Sequence, residues 1–235
     1  MSANPNFESV DSIVEFYRNQ SSDYLRVNMI LSLDGNFVGP SNSSKDLADE
    51  TDLRVLLTLR AMSDVVLVGA RTAIGERYRY TQIKPELTGL AVRNPPFCLV
   101  SQSLNLPESA PIFADSAHKP FLLTKQSPDP HWQDNLARLS DLAHISIISK
   151  SELDGTAIRL TLNRLGFSNI LCEGGPNLLA TMFRARVVDE LDLTISPAIT
   201  GKQAQQPPLG DMPMNMRLAA TNQVNNYLFN RFLPA

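Results

Sequence analysis

Histidine and cysteine are scarce in this 235-residue chain: His118, His131 and His144 are its only histidines, and Cys98 and Cys172 its only cysteines. Neither a C-x-x-C pair nor an H-E-x-x-H helix is present, and the H-x-E…P-C-x-x-C signature of zinc deaminases is missing with them, so the common zinc chemistries are excluded. Each cysteine lies inside an apolar segment, PFCLV or ILCEG, which predicts buried reduced thiols instead of a disulfide framework. Long hydrophobic runs are also lacking. No stretch approaches the roughly 18 apolar residues of a membrane span. The opening MSANPNFESVDSIVEFY has neither the basic nor the apolar region of a secretory signal, so the expected location is cytoplasmic, with no membrane partner. Basic charge is not in excess: 21 Lys and Arg face 24 Asp and Glu, and the pI is about 5.6, the opposite of a nucleic-acid binder's footprint. Walker A, G-x-S-x-G and three-glycine dinucleotide motifs are absent, as is any internal repeat.

What remains is an ordinary globular composition, 43% hydrophobic and 19% charged, enough for a sizeable core. Residues 1–23 are polar apart from one helical pattern at Val10, Ile13, Val14 and Tyr17, and read as an arm; 24–235 read as one domain. In that domain apolar runs at 24–33, 63–69, 95–101, 120–124, 144–149, 168–174 and 190–199 read as strands. Several are continuously apolar, as strands covered on both faces are. Amphipathic segments at 49–62, 131–141, 152–165 and 176–187 separate some of them, with Gly166 placed as a helix C-cap. Residues 225–232 alternate like an antiparallel edge strand, and 201–213 read as a flexible Gln- and Pro-rich loop. The expected fold is α/β, with a mostly parallel sheet, helices on both faces and an antiparallel C-terminal edge.

Four segments carry chemistry. In EGGPNLL (173–179) a strand ends, two glycines follow, and Pro176 opens a helix; close backbone approach and free N–H groups make this either a phosphate cradle or a tight turn. In DVVLVGARTAIGE (64–76), Thr72 can donate to a phosphate or cap a short helix, and Glu76 can accept from ribose hydroxyls or stand as a solvated carboxylate. SLDG (32–35) is read first as turn chemistry. Asp49, Glu50 and Asp52 crowd the start of the 49–62 helix, as the macrodipole favours, but Asp52 lies near the buried stripe and can face a cleft.

In order and spacing, LSLDG (31–35), LRAMSDVVLVGART (59–72), CEGGPNLLATMF (172–183) and VVDELDLTISPAITG (187–201) resemble the C-terminal reductase domain of the riboflavin-biosynthesis deaminase–reductases. The resemblance implies a dihydrofolate-reductase-like fold, a homodimer, and hydride transfer from NADPH to the open-chain imine of 5-amino-6-(5-phosphoribosylamino)uracil, a small-molecule substrate. It implies Ile30, Asp46, Thr72, Glu76, Ser101, Ser149, Gly174, Gly175, Pro176, Asn177 and Leu178 beside the cofactor, and Ser44, Arg60 and Glu173 beside the substrate. No metal is implied. Where the family shows D-P-x-L-x-x-R after the acid, this chain has RYRYTQIKPEL (77–87), leaving Arg77, Arg79 or Lys84 as stand-in phosphate ligands. The alternatives are reduction of dihydrofolate or another pterin-like ring, with Asp52 as the ring-binding catalytic carboxylate, or a non-catalytic nucleotide-binding homologue.

Overall fold

A computed structural model describes residues 7, 9–19, 21–80, 82–83, 85, 94–115, 117–148, 153–201 and 213–235. Nine strands form one sheet: β1 Tyr24–Leu31, β2 Val65–Gly69, β3 Phe97–Val100, β4 Phe121–Lys125, β5 His144–Ile148, β6 Asn169–Cys172, β7 Glu190–Ile195, β8 Met216–Val224 and β9 Tyr227–Pro234. Their spatial order is β5-β4-β3-β2-β6-β1-β7-β9-β8, so β6 slots between β1 and β2. Neighbours from β5 through to β7 run parallel, and β9 and β8 close the far side antiparallel.

The continuous apolar strands are explained by helices on both faces. Along β2, Val66 and Val68 join a core with Ile13, Val55, Leu59, Ala73 and Trp132, from α1 (Val10–Phe16), α2 (Glu50–Ala61), α3 (Ala70–Gly75) and α4 (Pro130–Leu139). Val65 and Leu67 point the other way, into a core with Ile158, Leu162, Leu179 and Met182 from α5 (Gly155–Arg164) and α6 (Pro176–Arg184). Cys98 and Cys172 are buried in this second core and form no disulfide.

Three local expectations need correction. Strand β8 was not anticipated: MRLAATNQV lies at the sheet edge, mostly solvent-exposed, so it carries no apolar alternation. Residues 225 and 226 are the hairpin turn and not strand; Asn225 and Asn226 have φ of 50° and 69°, the left-handed pair that a type I′ turn requires. Helix α6 ends at Arg184, short of 187, and the chain turns at Arg186 with φ of 53°. The 201–213 loop falls mainly outside the described residues.

Candidate active site

The end of β2 and the end of β6 meet side by side. Gly69 N–H donates to Gly174 O at 2.6 Å, and Glu173 N–H donates to Leu67 O at 3.0 Å. Gly174 has φ of +84°, a conformation that costs glycine little, and the Gly174–Gly175 peptide is cis. A Cβ on Gly175 would overlap Thr72 Oγ1, so the turn and α3 approach each other as only glycine allows. Helices α1, α2, α4 and α5 are capped by Ser9, Asp49, Asp129 and Asp154. By contrast α3 and α6, whose N-cap positions are Gly69 and Gly175, have no side-chain cap. The first-turn N–H groups of α6 therefore meet no capping side chain among the described residues, and that terminus is suited to an anion. Pro176 and Asn177 are exposed there, whereas the Leu178 side chain is buried in the core, so Leu178 offers only its backbone.

The remaining residues expected near the cofactor are placed as follows. Glu76 accepts from Ser43 Oγ at 2.7 Å and from Ser44 N–H at 3.0 Å, while Lys45 Nζ reaches its main-chain O at 3.0 Å. Its carboxylate thus ties the 43–45 turn to the end of α3. Asp46 accepts from Ser41 N–H at 2.6 Å and Ser41 Oγ at 2.8 Å. Ser101 Oγ accepts from Leu104 N–H at 3.1 Å just beyond β3. Ile30 lies late on β1, paired with Thr194 of β7. Ser149 and Lys84 lie outside the described residues; Arg77 and Arg79 are exposed. Further along α6, a cleft of about 500 Å³ is lined by Gln102, Lys125, Asp154, Thr156, Thr181 and Arg184.

On the substrate side, Asp52 sits in the first turn of α2 and is 9% exposed. Burial pushes its carboxyl up to about 6, against the pull of a hydrogen bond with Thr194 and with help from nearby Asp49. Arg60, in the last turn of the same helix, makes a bidentate pair with Glu173: Nε to Oε1 at 2.6 Å and Nη2 to Oε2 at 2.7 Å. Tyr78 Oη donates to the same carboxylate at 2.6 Å. These two residues expected to meet substrate are thus engaged with each other, and the Glu173 side chain is only 4% exposed. Tyr78 and Thr194 were not singled out in the sequence; each becomes visible only through a partner far away in the chain.

SLDG is turn chemistry, as first read. Asp34 accepts from Ser32 Oγ, from Thr200 N–H and Oγ1, and from Gly201 N–H, joining the loops after β1 and β7. The Ser32 hydroxyl, then the Thr200 amide, hold its carboxyl well below the usual range.

Among the described residues no group of His, Cys, Asp and Glu is arranged to hold a metal, and no helix is long and apolar enough to cross a membrane. A protein named 2,5-diamino-6-ribosylamino-4(3H)-pyrimidinone 5′-phosphate reductase, from Archaeoglobus fulgidus, is 26% identical over 183 residues, covering 76% of this chain and 82% of that one. The crystal structure of a pyrimidine reductase-like protein from Corynebacterium diphtheriae superposes with a TM-score of 0.84 at 24% identity, over 97% of this chain and 99% of that one. A dihydrofolate reductase from Enterococcus faecalis shares the fold at a TM-score of 0.51 and 9% identity, over 91% of this chain and 97% of that one. Residues 23–228 match the RibD C-terminal domain, and the chain belongs to that family.

Proposed function

We propose that the chain is an NADPH-dependent reductase acting in riboflavin biosynthesis on a ribosylaminopyrimidine 5′-phosphate, with residues 1–23 as an arm and 24–235 as the reductase domain. The observation that carries this reading is the junction of Gly69–Thr72 with Gly174–Pro176, where two uncapped helix starts flank one glycine turn. Such a turn fits the diphosphate of a dinucleotide, held by the α6 N-terminus and by Thr72. When bound, the reduced nicotinamide supplies the hydride. Thr181 and Arg184 lie about 8 and 12 Å along α6 from Pro176, at roughly 1.5 Å per residue, and would hold the far end of such a dinucleotide. Lys125 and Arg184 in that cleft favour the phosphorylated dinucleotide, with Asp154 opposing them.

The chain's own contribution to the chemistry is alignment and a proton. Asp52 is desolvated on α2 against Thr194, and with its carboxyl near 6 about one molecule in ten keeps the proton at pH 7, far more than an ordinary aspartate would. Reduction of the imine leaves its nitrogen one proton short; Asp52 would supply that proton and regain one from solvent. This same carboxyl serves the second reading, reduction of a pterin-like ring.

The test is NADPH consumption with three substrates in parallel: the 2,5-diamino-4-oxopyrimidine phosphate, the corresponding aminouracil phosphate, and dihydrofolate. Turnover of either phosphate supports the proposal and identifies the ring; turnover of dihydrofolate alone overturns it in favour of the pterin reading. The proposal also carries a cytoplasmic homodimer with no nucleic-acid or membrane partner, and sedimentation at micromolar concentration checks the dimer.

A further inference from the structure

The geometry points to Glu173, Arg60 and Tyr78 as a positioning clamp that fixes the two walls of the cofactor turn against each other, making Tyr78 a determinant of dinucleotide affinity. This inference rests on the cofactor reading above. One wall is the segment Gly69–Thr72, which runs on through α3 to Tyr78; Tyr78 N–H donates to Ala73 O at 2.8 Å, so the tyrosine is anchored to α3. The other wall is Gly174–Pro176, and Glu173 is the residue immediately before it. The walls touch at the Gly69 N–H to Gly174 O bond and at Thr72 against Gly175. Tyr78 Oη to Glu173 Oε2, at 2.6 Å, is a second tie between the same two segments.

Arg60 completes the clamp from a third element. Its Nε and Nη2 take both carboxylate oxygens of Glu173, and its guanidinium carbon lies 5.4 Å from the Tyr78 ring centre and 5.3 Å from that of Phe97. A planar fork held by a bidentate carboxylate between two rings has little freedom to turn toward a substrate phosphate. Burial opposes the charge on Arg60, but Glu173 outweighs it and holds the guanidinium more firmly protonated. Because Arg60 and Asp52 share α2, the clamp also ties the helix of the proposed proton donor to the cofactor turn. A hydrogen bond to a buried carboxylate is worth more than a neutral one, so losing the Tyr78 hydroxyl should loosen the turn without leaving a charge unpaired.

A matched pair of variants separates positioning from mere structure. Tyr24 Oη donates to Glu190 Oε2 at 2.6 Å, the same chemistry at another place in the fold. NADPH affinity is measured by fluorescence titration of the full chain, independently of turnover, and thermal stability is followed alongside. Tyr78→Phe is expected to weaken NADPH binding by about three- to tenfold, with the substrate KM unchanged, while Tyr24→Phe costs comparable stability and leaves NADPH affinity alone. Unchanged NADPH affinity in Tyr78→Phe, or a rise confined to the substrate KM, overturns the clamp and returns Glu173 and Arg60 to the substrate. A wild-type chain that fails to bind NADPH overturns the cofactor reading itself, and the clamp with it.

Discussion

Two buried arginine–carboxylate clusters lie in this molecule, and their charges close in different ways. In the first, one arginine and one carboxylate neutralise each other: Arg60 is bidentate to Glu173, with Tyr78 as an additional donor. In the second, on β1, β7 and β9, Arg26 and Arg231 both converge on Glu190, at 3.2 Å and at 3.0 and 2.7 Å. Arg26 Nε also comes within 2.8 Å of Asp192, but as an electrostatic neighbour and not in hydrogen-bonding alignment. Burial opposes ionisation of Glu190, yet Arg231 above all, with Asp192 and Arg26 beside it, brings its carboxyl down to about 2. Asp192 goes the other way: full burial, reinforced by Glu190, outweighs Arg26 and keeps it protonated well above the usual range.

The second cluster is left with more cation than anion. That surplus is met by carbonyls: Arg26 Nη2 donates to Tyr17 O at 2.5 Å, Arg231 Nη1 to Phe16 O, and Arg231 Nη2 to Arg18 O at 3.4 Å. These carbonyls lie at and just past the C-terminus of α1, the negative end of its dipole. The comparison teaches that a closed pair can stiffen a site, whereas an unbalanced one recruits a neighbouring segment. Helix α1 and the residues just after it, which lie outside the family match, are held by charge left over inside the sheet as well as by Phe7, Ile13 and Tyr17 in the core.

Four variants test whether the two clusters differ in this way, beginning with the largest effect. Gly175→Val drives a branched side chain into Thr72 beside the first cluster; NADPH binding should be lost, by more than about 100-fold in a titration, while circular dichroism and the Glu190 cluster stay intact. Retained affinity would remove the turn from the cofactor site. Glu190→Gln strips both arginines of their ionised partner and should cost about 3–5 kcal/mol in urea unfolding, with the arm cut faster by protease near residues 18–23. The wild-type stabilisation from Glu190 is present above its unfolded pKa of 4.5 and disappears as pH falls toward about 2. An arm equally resistant in both proteins would mean that hydrophobic contacts alone hold it.

Asp52→Asn has the opposite sign. A carboxyl raised from 3.8 to about 6 costs nothing below about pH 3.8, progressively more as pH rises toward 6, and its full amount above 6. The variant should therefore gain about 2–3 kcal/mol at pH 8, equal wild type at pH 3.5, and lose most turnover. A stability gap that does not depend on pH would show Asp52 to be unperturbed. The smallest effect is expected for Asp192→Asn, under about 1 kcal/mol, because the group already carries its proton. A loss above about 3 kcal/mol would mean that Asp192 is ionised and that the two clusters are alike after all.

Much of the fold was legible in the sequence because periodicity reports burial. The runs that became β2 and β6 are apolar without interruption, and helices do cover both faces. Strand β8 and the six-residue α3 were not legible, one for exposure and the other for brevity. The glycine turn was visible as EGGP, but the partners of its acid were not: Arg60 and Glu173 are 113 positions apart, and a single sequence gives no sign of such a pairing. The second cluster did leave a trace. Arg26 interrupts the apolar YLRVNMIL, and Glu190 and Asp192 occupy alternate positions of ELDLTI, on the same face of neighbouring strands. A charge inside a central strand marks a buried partner, whereas alternation alone suggests a solvated face.

The strand order has a consequence for how the cofactor turn comes into being. β1 and β2 are consecutive in the chain yet never pair; only β6, made of residues 169–172, joins them. On a ribosome, the first two-thirds of the chain would carry Gly69, Thr72, Tyr78 and Asp52 before the strand that joins β1 to β2 exists. The Gly69–Gly174 turn therefore forms only once β6 is in place, and on the proposed reading a dinucleotide bound there would reward the joined sheet over any intermediate that lacks its sixth strand.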